Sequence, residues 1–574
     1  EVTMTERMGR GAAPSRRDFL SATGAAIAAT ALSPSNAAAQ PRAKHRRVNV
    51  SSPEAGPVLE SYKKAIRKML DLPPSDARNW YRNAVVHALD CPHGNWWFLV
   101  WHRGYIGWFE QICRELSEDP QFALPYWDWS ENRDSTQPFA PRVPAVMFDD
   151  VLTPTHSDFI GTFDEFRKKF EDVVAKADYW KVSSPFDESS QYGQLLVRGI
   201  RFPADLWFDI INDPRGVFFF DRANARGLTK DNPFLDERTK TAVSLATLTA
   251  ALRPTDFLTF GSPKTSAHSG LTGFGVLEGQ PHNRVHNNVG GIITTTGPDG
   301  RPVTTFGKGF MQANLSPVDP LFFLHHANID RIWDIWTRKQ QRLGLPILPD
   351  GYLLAPGGAP APGTDYFNWS REPFPFFIDA KGQPASKKTA RDYESIGDFN
   401  YEYQPGSGES VVPPQTVSAP SLAVRGPAPR FSAQIGNPTA TRSAPASGIV
   451  ALPPALLQAA EGPDAPVLLA KITLALPPLV HSGDLAVVVD APGGASGGGN
   501  TIPLSMFGHH TVHAPVTFTV PLGAPIAALR ANNRLGTNTL NFSVAQPAAT
   551  AAMSMDAHGA DVNIEVLSIV VEAH

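Results

Sequence analysis

The stretch Pro281-His282-Asn283-Arg284-Val285-His286 decides the reading of this chain. His282 and His286 are four residues apart, so on a helix they share a face and can chelate one ion. A second element follows: Asp319-Pro320-Leu321-Phe322-Phe323-Leu324-His325-His326-Ala327-Asn328-Ile329-Asp330-Arg331. Upstream, Val86-His87-Ala88-Leu89-Asp90-Cys91-Pro92-His93 continues to Trp101-His102-Arg103. On one helix the spacing from His93 to His102 would put the two on opposite faces. It therefore predicts His93 in a loop and His102 near the start of a helix running to Leu116. Imidazoles without nearby thiolate ligands suit copper, zinc, nickel or iron, so chemistry alone leaves the metal open.

Around these histidines the composition is that of a globular protein. With 574 residues the chain is too long for one ordinary core, and two or three domains are expected. Hydrophobic residues at 42% and charged residues at 18% argue against a disordered or membrane class. A net charge of -4 supplies no basic field, so neither nucleic acid nor a membrane is expected as a partner. Two cysteines, Cys91 and Cys113, do not make a disulfide scaffold.

The chain divides into four stretches. Residues 1–39 read as a signal peptide: Ser15-Arg16-Arg17-Asp18-Phe19-Leu20, a short apolar run, then Ala37-Ala38-Ala39. The paired arginines resemble a twin-arginine export signal, which predicts a periplasmic or secreted protein. Residues 40–404 mix helical periodicity with long loops and are expected to be the catalytic domain. Residues 405–444, rich in Pro, Ser, Ala and Gly, read as a linker. From 445 to 574 short alternating runs separated by glycines predict a small antiparallel β domain.

The histidine elements carry a resemblance. His93-Gly94 through Phe98-Leu99 and Trp101-His102-Arg103 looks like the first copper signature of the tyrosinase and polyphenol oxidase family, the type-3 copper proteins. His282 to His286 and Asp319-Pro320 through Arg331 look like the second. Leu124-Pro125-Tyr126-Trp127-Asp128-Trp129 and Tyr401-Glu402-Tyr403 are also similar to family motifs. Asp365 to Tyr403, and more weakly Met506 to Leu529, resemble the later regions of plant members, so the chain looks like a bacterial member with a plant-like C-terminal region.

The resemblance implies an α+β fold: a mainly helical catalytic domain, a four-helix bundle around a dicopper site, followed by the β domain. It implies two copper ions per chain, one on His87, His93 and His102 and one on His282, His286 and His326. His325 would then be a neighbour. Glu278 and Asn283 stand where monophenol-hydroxylating members hold a water, and a carboxylate there would handle the phenol's proton. The Cys91-Pro92-His93 spacing matches members with a thioether between Cys91 and His93. Members with such a tail insert a side chain over the metal site, and Phe507 in Ser505-Met506-Phe507-Gly508 is the expected plug, with Met506 as the alternative.

The activity so implied is hydroxylation of monophenols to o-diphenols and oxidation of o-diphenols to o-quinones by dioxygen, leading to quinones or melanin. A catechol oxidase acting on diphenols only and a haemocyanin-like dioxygen carrier are the alternatives. The sequence leaves homo-oligomer formation and need for a copper chaperone open.

Overall fold

A computed structural model describes residues 45–574 apart from 133–135, 212–221, 297–301, 306, 353–359, 415–427, 442–443, 460–464, 492–499, 537, 547 and 550–562. The signal-peptide reading of residues 1–39 lies outside the described residues.

Five helices position the site: α1 (Ala55–Asp71), α2 (Trp80–Asp90), α3 (Phe98–Ser117), α4 (Asn283–Val289) and α5 (Leu321–Leu343). On α1, Leu59, Tyr62, Ile66 and Met69 recur at helical spacing and are all buried. Asn79 caps α2, its side chain accepting from the Tyr81 and Arg82 amides. Asp319 accepts from the Leu321 amide at the start of α5, and Gly344 ends that helix at φ 66, where a Cβ would be strained. The helices meet through aromatic rings. Phe109 of α3 stacks on Phe323 of α5 at 3.4 Å between centroids, and Trp80 of α2 and Tyr62 of α1 close on the same cluster. Helices α2, α3, α4 and α5 form or flank the histidine cluster, with α1 packed outside α3.

The Tyr-x-Tyr motif has a clear mechanical role. Strand His45–Arg47 pairs in parallel with Tyr401–Tyr403. Asp330 of α5 accepts hydrogen bonds from Arg103 at 2.6 Å, Tyr401 at 2.5 Å and Tyr403 at 2.6 Å. Burial pushes the Asp330 carboxyl up, but Arg103 and Arg47 hold it below its usual range. The two ends of the catalytic region are thereby pinned to the helix that bears His326.

The C-terminal region supplies nine strands of a ten-stranded sheet. Its order is Thr501–Thr511, Leu479–Asp490, Thr539–Ala545, Ala446–Ala451, Arg430–Asn437, Ile564–Ala573, Leu468–Ala475, Val516–Pro521 and Gly273–Phe274, with Thr439–Ala440 pairing off this path. The pairs are antiparallel except the last on the path, where Gly273–Phe274 of the catalytic region runs parallel to Val516–Pro521.

The expected linker, 405–444, needs correction. Strands Arg430–Asn437 and Thr439–Ala440 lie inside it and belong to the sheet. Phe431, Ala433 and Ile435 alternate onto the sheet's apolar core, a two-residue period hidden by small and polar neighbours. The start of the stretch is also tied down: Ser407 N donates to Asp128, and Glu409 pairs with Arg338 at 2.8 Å.

Candidate metal centre

The structure gathers the seven site histidines from four helices, a π-helical turn and a loop. His87 lies on α2, His102 on α3, His286 on α4, and His325 and His326 on α5. His93 sits in the loop before α3, as its spacing predicts. His282 ends a π-helical turn, Glu278–His282, that leads into α4. The potential ligand atoms of His87, Cys91, His93 and His102 all lie within 4.8 Å of one another, as do those of His282, His286, His325 and His326. The two groups abut: His102 stacks on His326 at 4.0 Å, and His93 lies 5.5 Å from His282 between centroids. Two such groups fit a binuclear metal site.

The hydrogen bonds of the rings say which nitrogens are open to a metal. His87 Nδ1 donates to the Asn314 carbonyl at 2.7 Å, His102 Nδ1 to Phe98 at 2.8 Å and His286 Nδ1 to Met311 at 2.6 Å. His282 Nδ1 donates to Asn283 Oδ1 at 2.9 Å. Each bond puts the ring proton on Nδ1 and leaves the Nε2 lone pair for a metal. His87 Nε2 and His282 Nε2 are buried with no hydrogen-bond partner, a cost that a metal ion would remove. His286 Nε2 and His326 Nε2 face each other at 3.0 Å, close to the edge of a coordination shell with bonds of about 2 Å.

His325 is different. Trp129 Nε1 donates to its Nδ1 at 3.2 Å, so its proton must sit on Nε2 and that lone pair is gone. Geometry alone would admit His325 to the second group; its tautomer argues against it. Burial lowers His87 and His325 to about 3 and pushes His102, His282, His286 and His326 well below the ordinary histidine range. All are therefore neutral imidazoles, the form a metal binds.

Cys91 Sγ is 3.6 Å from both ring nitrogens of His93, which puts it in the plane that bisects them and contains Cε1. It is also 3.4 Å from His102 Nε2, and it is a free thiol here. Cys113 is buried in the core, away from the site groups. Glu278 is fully buried; its Oε1 accepts from the Gly94 amide at 2.7 Å and its Oε2 from Ser262 Oγ. Burial pushes its carboxyl up to about 8, against the two hydrogen bonds. Asn283 is engaged at both ends: Oδ1 by His282, Nδ2 on the Ser505 carbonyl at 2.7 Å.

Phe507 stands over the histidines. Its ring centroid is 4.0 Å from His286, 4.9 Å from His93, 5.6 Å from His282 and 6.2 Å from His87. Phe507 is completely buried, and shielding a ring of that size from water is worth about 2–3 kcal/mol. Several residues that hold it there escaped the sequence reading. Gln280 and Asn287 donate to the Pro503 and Met506 carbonyls at 2.8 and 2.9 Å. Arg284 is ion-paired to Asp484 of the sheet and to Asp236 at 3.0 Å. Ser505 Oγ donates to Asp484 at 2.6 Å. The only sequence signal for them is position: Gln280, Asn283, Arg284 and Asn287 repeat at helical spacing beside the His282–His286 pair.

Comparison with known proteins places this geometry. Residues 74–339 match the family model described as the common central domain of tyrosinase. A chloroplastic polyphenol oxidase from Spinacia oleracea is 26% identical over 376 residues, 60% of this chain and 45% of that protein. A tyrosinase from a Hahella species is 25% identical over 408 residues, 64% of this chain and 65% of its own length. The chain thus spans less than half of the spinach relative and under two thirds of the Hahella one. A solved structure titled latent apple tyrosinase covers 93% of this chain and 97% of its own, at 17% identity and a TM-score of 0.48.

Proposed function

The chain belongs to the tyrosinase and polyphenol oxidase family through its central domain, and from that premise we propose that it is a copper-dependent phenol oxidase. In this reading it hydroxylates monophenols to o-diphenols and oxidises o-diphenols to o-quinones. The observation that carries it is the set of buried neutral imidazoles whose Nδ1 protons are fixed outward, leaving Nε2 lone pairs in two abutting groups. His87, His93 and His102 would hold one copper and His282, His286 and His326 the other. Two copper ions would supply the binding site for dioxygen and the electrons to reduce it.

The protein's own contribution is geometry and proton handling. Carbonyls of Asn314, Phe98 and Met311 orient three of the rings. Phe98 and Phe322 pack on His102, His282 and His326 and keep water from the ligand set. Glu278, held by Gly94 and Ser262, would take the phenol's proton as a carboxylate once the charge of bound copper offsets the burial that raises its carboxyl to about 8. Cys91 lies where a thioether to His93 would fix that loop histidine, which lacks a helix of its own.

Phe507 fills the place where a phenol ring would lie, so the full chain is the resting form and the sheet is its lid. A diphenol-only enzyme is the second reading. It is favoured by the engagement of the Asn283 amide, whose Oδ1 accepts from His282 and whose Nδ2 spends one of its two N–H donors on Ser505 while the tail is closed. Loading the chain with copper and measuring dioxygen uptake with a monophenol and with a catechol tests the proposal. Uptake with both supports it, with catechol alone the second reading, and uptake with neither, in the full chain and in a Phe507→Gly chain whose site is no longer filled, overturns both. Export to the periplasm or medium remains part of the proposal; the mass of the mature N-terminus tests it.

A further inference from the structure

The lid strand is held by its main chain. Thr501–Thr511 is the edge strand of the sheet, and one edge pairs with Leu479–Asp490 in the register Asp484–Ser505, Leu485–Leu504 and Ala486–Pro503. Its other edge meets the π-helical turn and α4. There three carboxamides donate to three carbonyls of one four-residue run, passing over Leu504: Gln280 Nε2 to Pro503 at 2.8 Å, Asn283 Nδ2 to Ser505 at 2.7 Å and Asn287 Nδ2 to Met506 at 2.9 Å. All three side chains are buried. They fall at spacings of three and four residues, so they form one stripe of the turn and helix that also present His282 and His286.

Such a stripe reads backbone and ignores side-chain identity, as extended peptides are read when they add to a sheet edge. Its geometry fixes two requirements: an extended run of four residues, and an aromatic ring immediately after it. In the structure that ring is Phe507, which lies among the histidines because the preceding carbonyls are gripped. Gly508 follows at φ 84, a conformation that turns the chain away after the ring has entered.

We propose that the Gln280–Asn283–Asn287 stripe is a peptide-reading strip, which makes this site bind a phenol carried on an extended backbone more tightly than the same phenol without one. The lid is then a copy of such a segment carrying Phe in place of Tyr. The inference rests on the phenol-oxidase reading above. The reaction balances with dioxygen as oxidant. One tyrosyl ring gains one oxygen atom and gives up four electrons and two hydrogens to become an o-quinone ring. Dioxygen takes up those electrons, placing one atom in the ring and the other in water.

The test uses the full copper-loaded chain and two substrates with the same phenol, the capped heptapeptide Ile-Pro-Leu-Ser-Met-Tyr-Gly and N-acetyltyrosine amide. Dioxygen uptake should give a KM for the peptide at least about ten-fold below that for the amide, with similar kcat, the gain expected from a few extra hydrogen bonds. Gln280→Ala should pull the ratio of the two KM values back toward one. A second arm needs no metal: the heptapeptide with Phe for Tyr, added at millimolar concentration to metal-free protein, should speed amide exchange in residues 501–508, and a scrambled peptide should not. Equal KM values in the unaltered chain, or exchange that the peptide leaves unchanged, overturns the strip. Oxidation of neither substrate, by the full chain and by Phe507→Gly alike, instead overturns the phenol-oxidase reading, and the exchange arm still decides the strip.

Discussion

At the scale of single residues the site is decided by where protons sit. His325 and His326 are neighbours on one helix, both buried and both in the second histidine group. What separates them is the Trp129 donor on His325 Nδ1. The expected outcome of His286→Ala is loss of one of two coppers per chain, read by metal analysis of the purified protein. His325→Ala should keep both and cost about 1–3 kcal/mol of stability, since the Trp129 N–H is left buried without an acceptor. Loss of a copper in His325→Ala would reverse the assignment of the pair. Glu278→Gln should depress monophenol turnover more than catechol turnover, because only the monophenol must surrender a proton to bind; equal losses would remove Glu278 from that role. Intact-mass analysis of the copper-loaded protein should show two hydrogens missing and a peptide joined between Cys91 and His93, whereas free alkylation of Cys91 would contradict the thioether.

At the scale of elements, the strand that carries Phe507, the lid of the proposal, is held by α4, the π-helical turn before it and the neighbouring strand together. Arg284 is fully buried between Asp484 and Asp236, so removing one partner leaves a buried charge short of compensation. Asp484→Asn should therefore loosen the strand and raise catechol turnover per copper several-fold; unchanged turnover would mean the ion pair does not hold the lid. The sheet has its own charge cluster on the interior strand Ile564–Ala573, where Glu572 meets Lys471 and Arg430 of the two flanking strands and His574. Burial pushes the Glu572 carboxyl up, yet His574 and Lys471 lower it from 4.5 to about 2. A depressed carboxyl stabilises the fold above its ordinary pKa and loses that contribution as pH falls through the folded value. Glu572→Gln should lower the melting temperature at neutral pH, and the gap to the unaltered chain should close between about pH 4.5 and pH 2. Helices and histidines were legible in the sequence because their spacing repeats: His282 and His286, Leu59 through Met69. The strand at Arg430–Asn437 was not, because its alternation is carried by only three apolar residues amid Ser, Gln and Gly.

At the scale of the whole molecule, the catalytic helices and the sheet share contacts that no sequence pattern announced. Phe507 was singled out only through the resemblance to members with such a tail, and what aims its ring at the histidines is spread over Gln280, Asn287, Arg284, Asp236 and Asp484, up to about 250 residues apart along the chain. Long-range pairs between single polar residues leave no local period, so only the folded arrangement reveals them. The same spread means that a cut between residues 415 and 427 leaves the strand pairing at Gly273–Phe274 and the amide stripe intact. Cutting alone should raise activity less than cutting followed by mild denaturant, and Phe507→Gly should raise catechol turnover several-fold at equal copper content. Beneath all of this lies the claim that two histidine groups hold a coupled pair of coppers. Copper analysis and electron paramagnetic resonance on one oxidised sample of the full chain test it most directly. The account predicts two coppers per chain with almost no resonance signal, since adjacent cupric ions bridged in one site cancel each other's spin; one copper per chain, or two with full signal intensity, would contradict it.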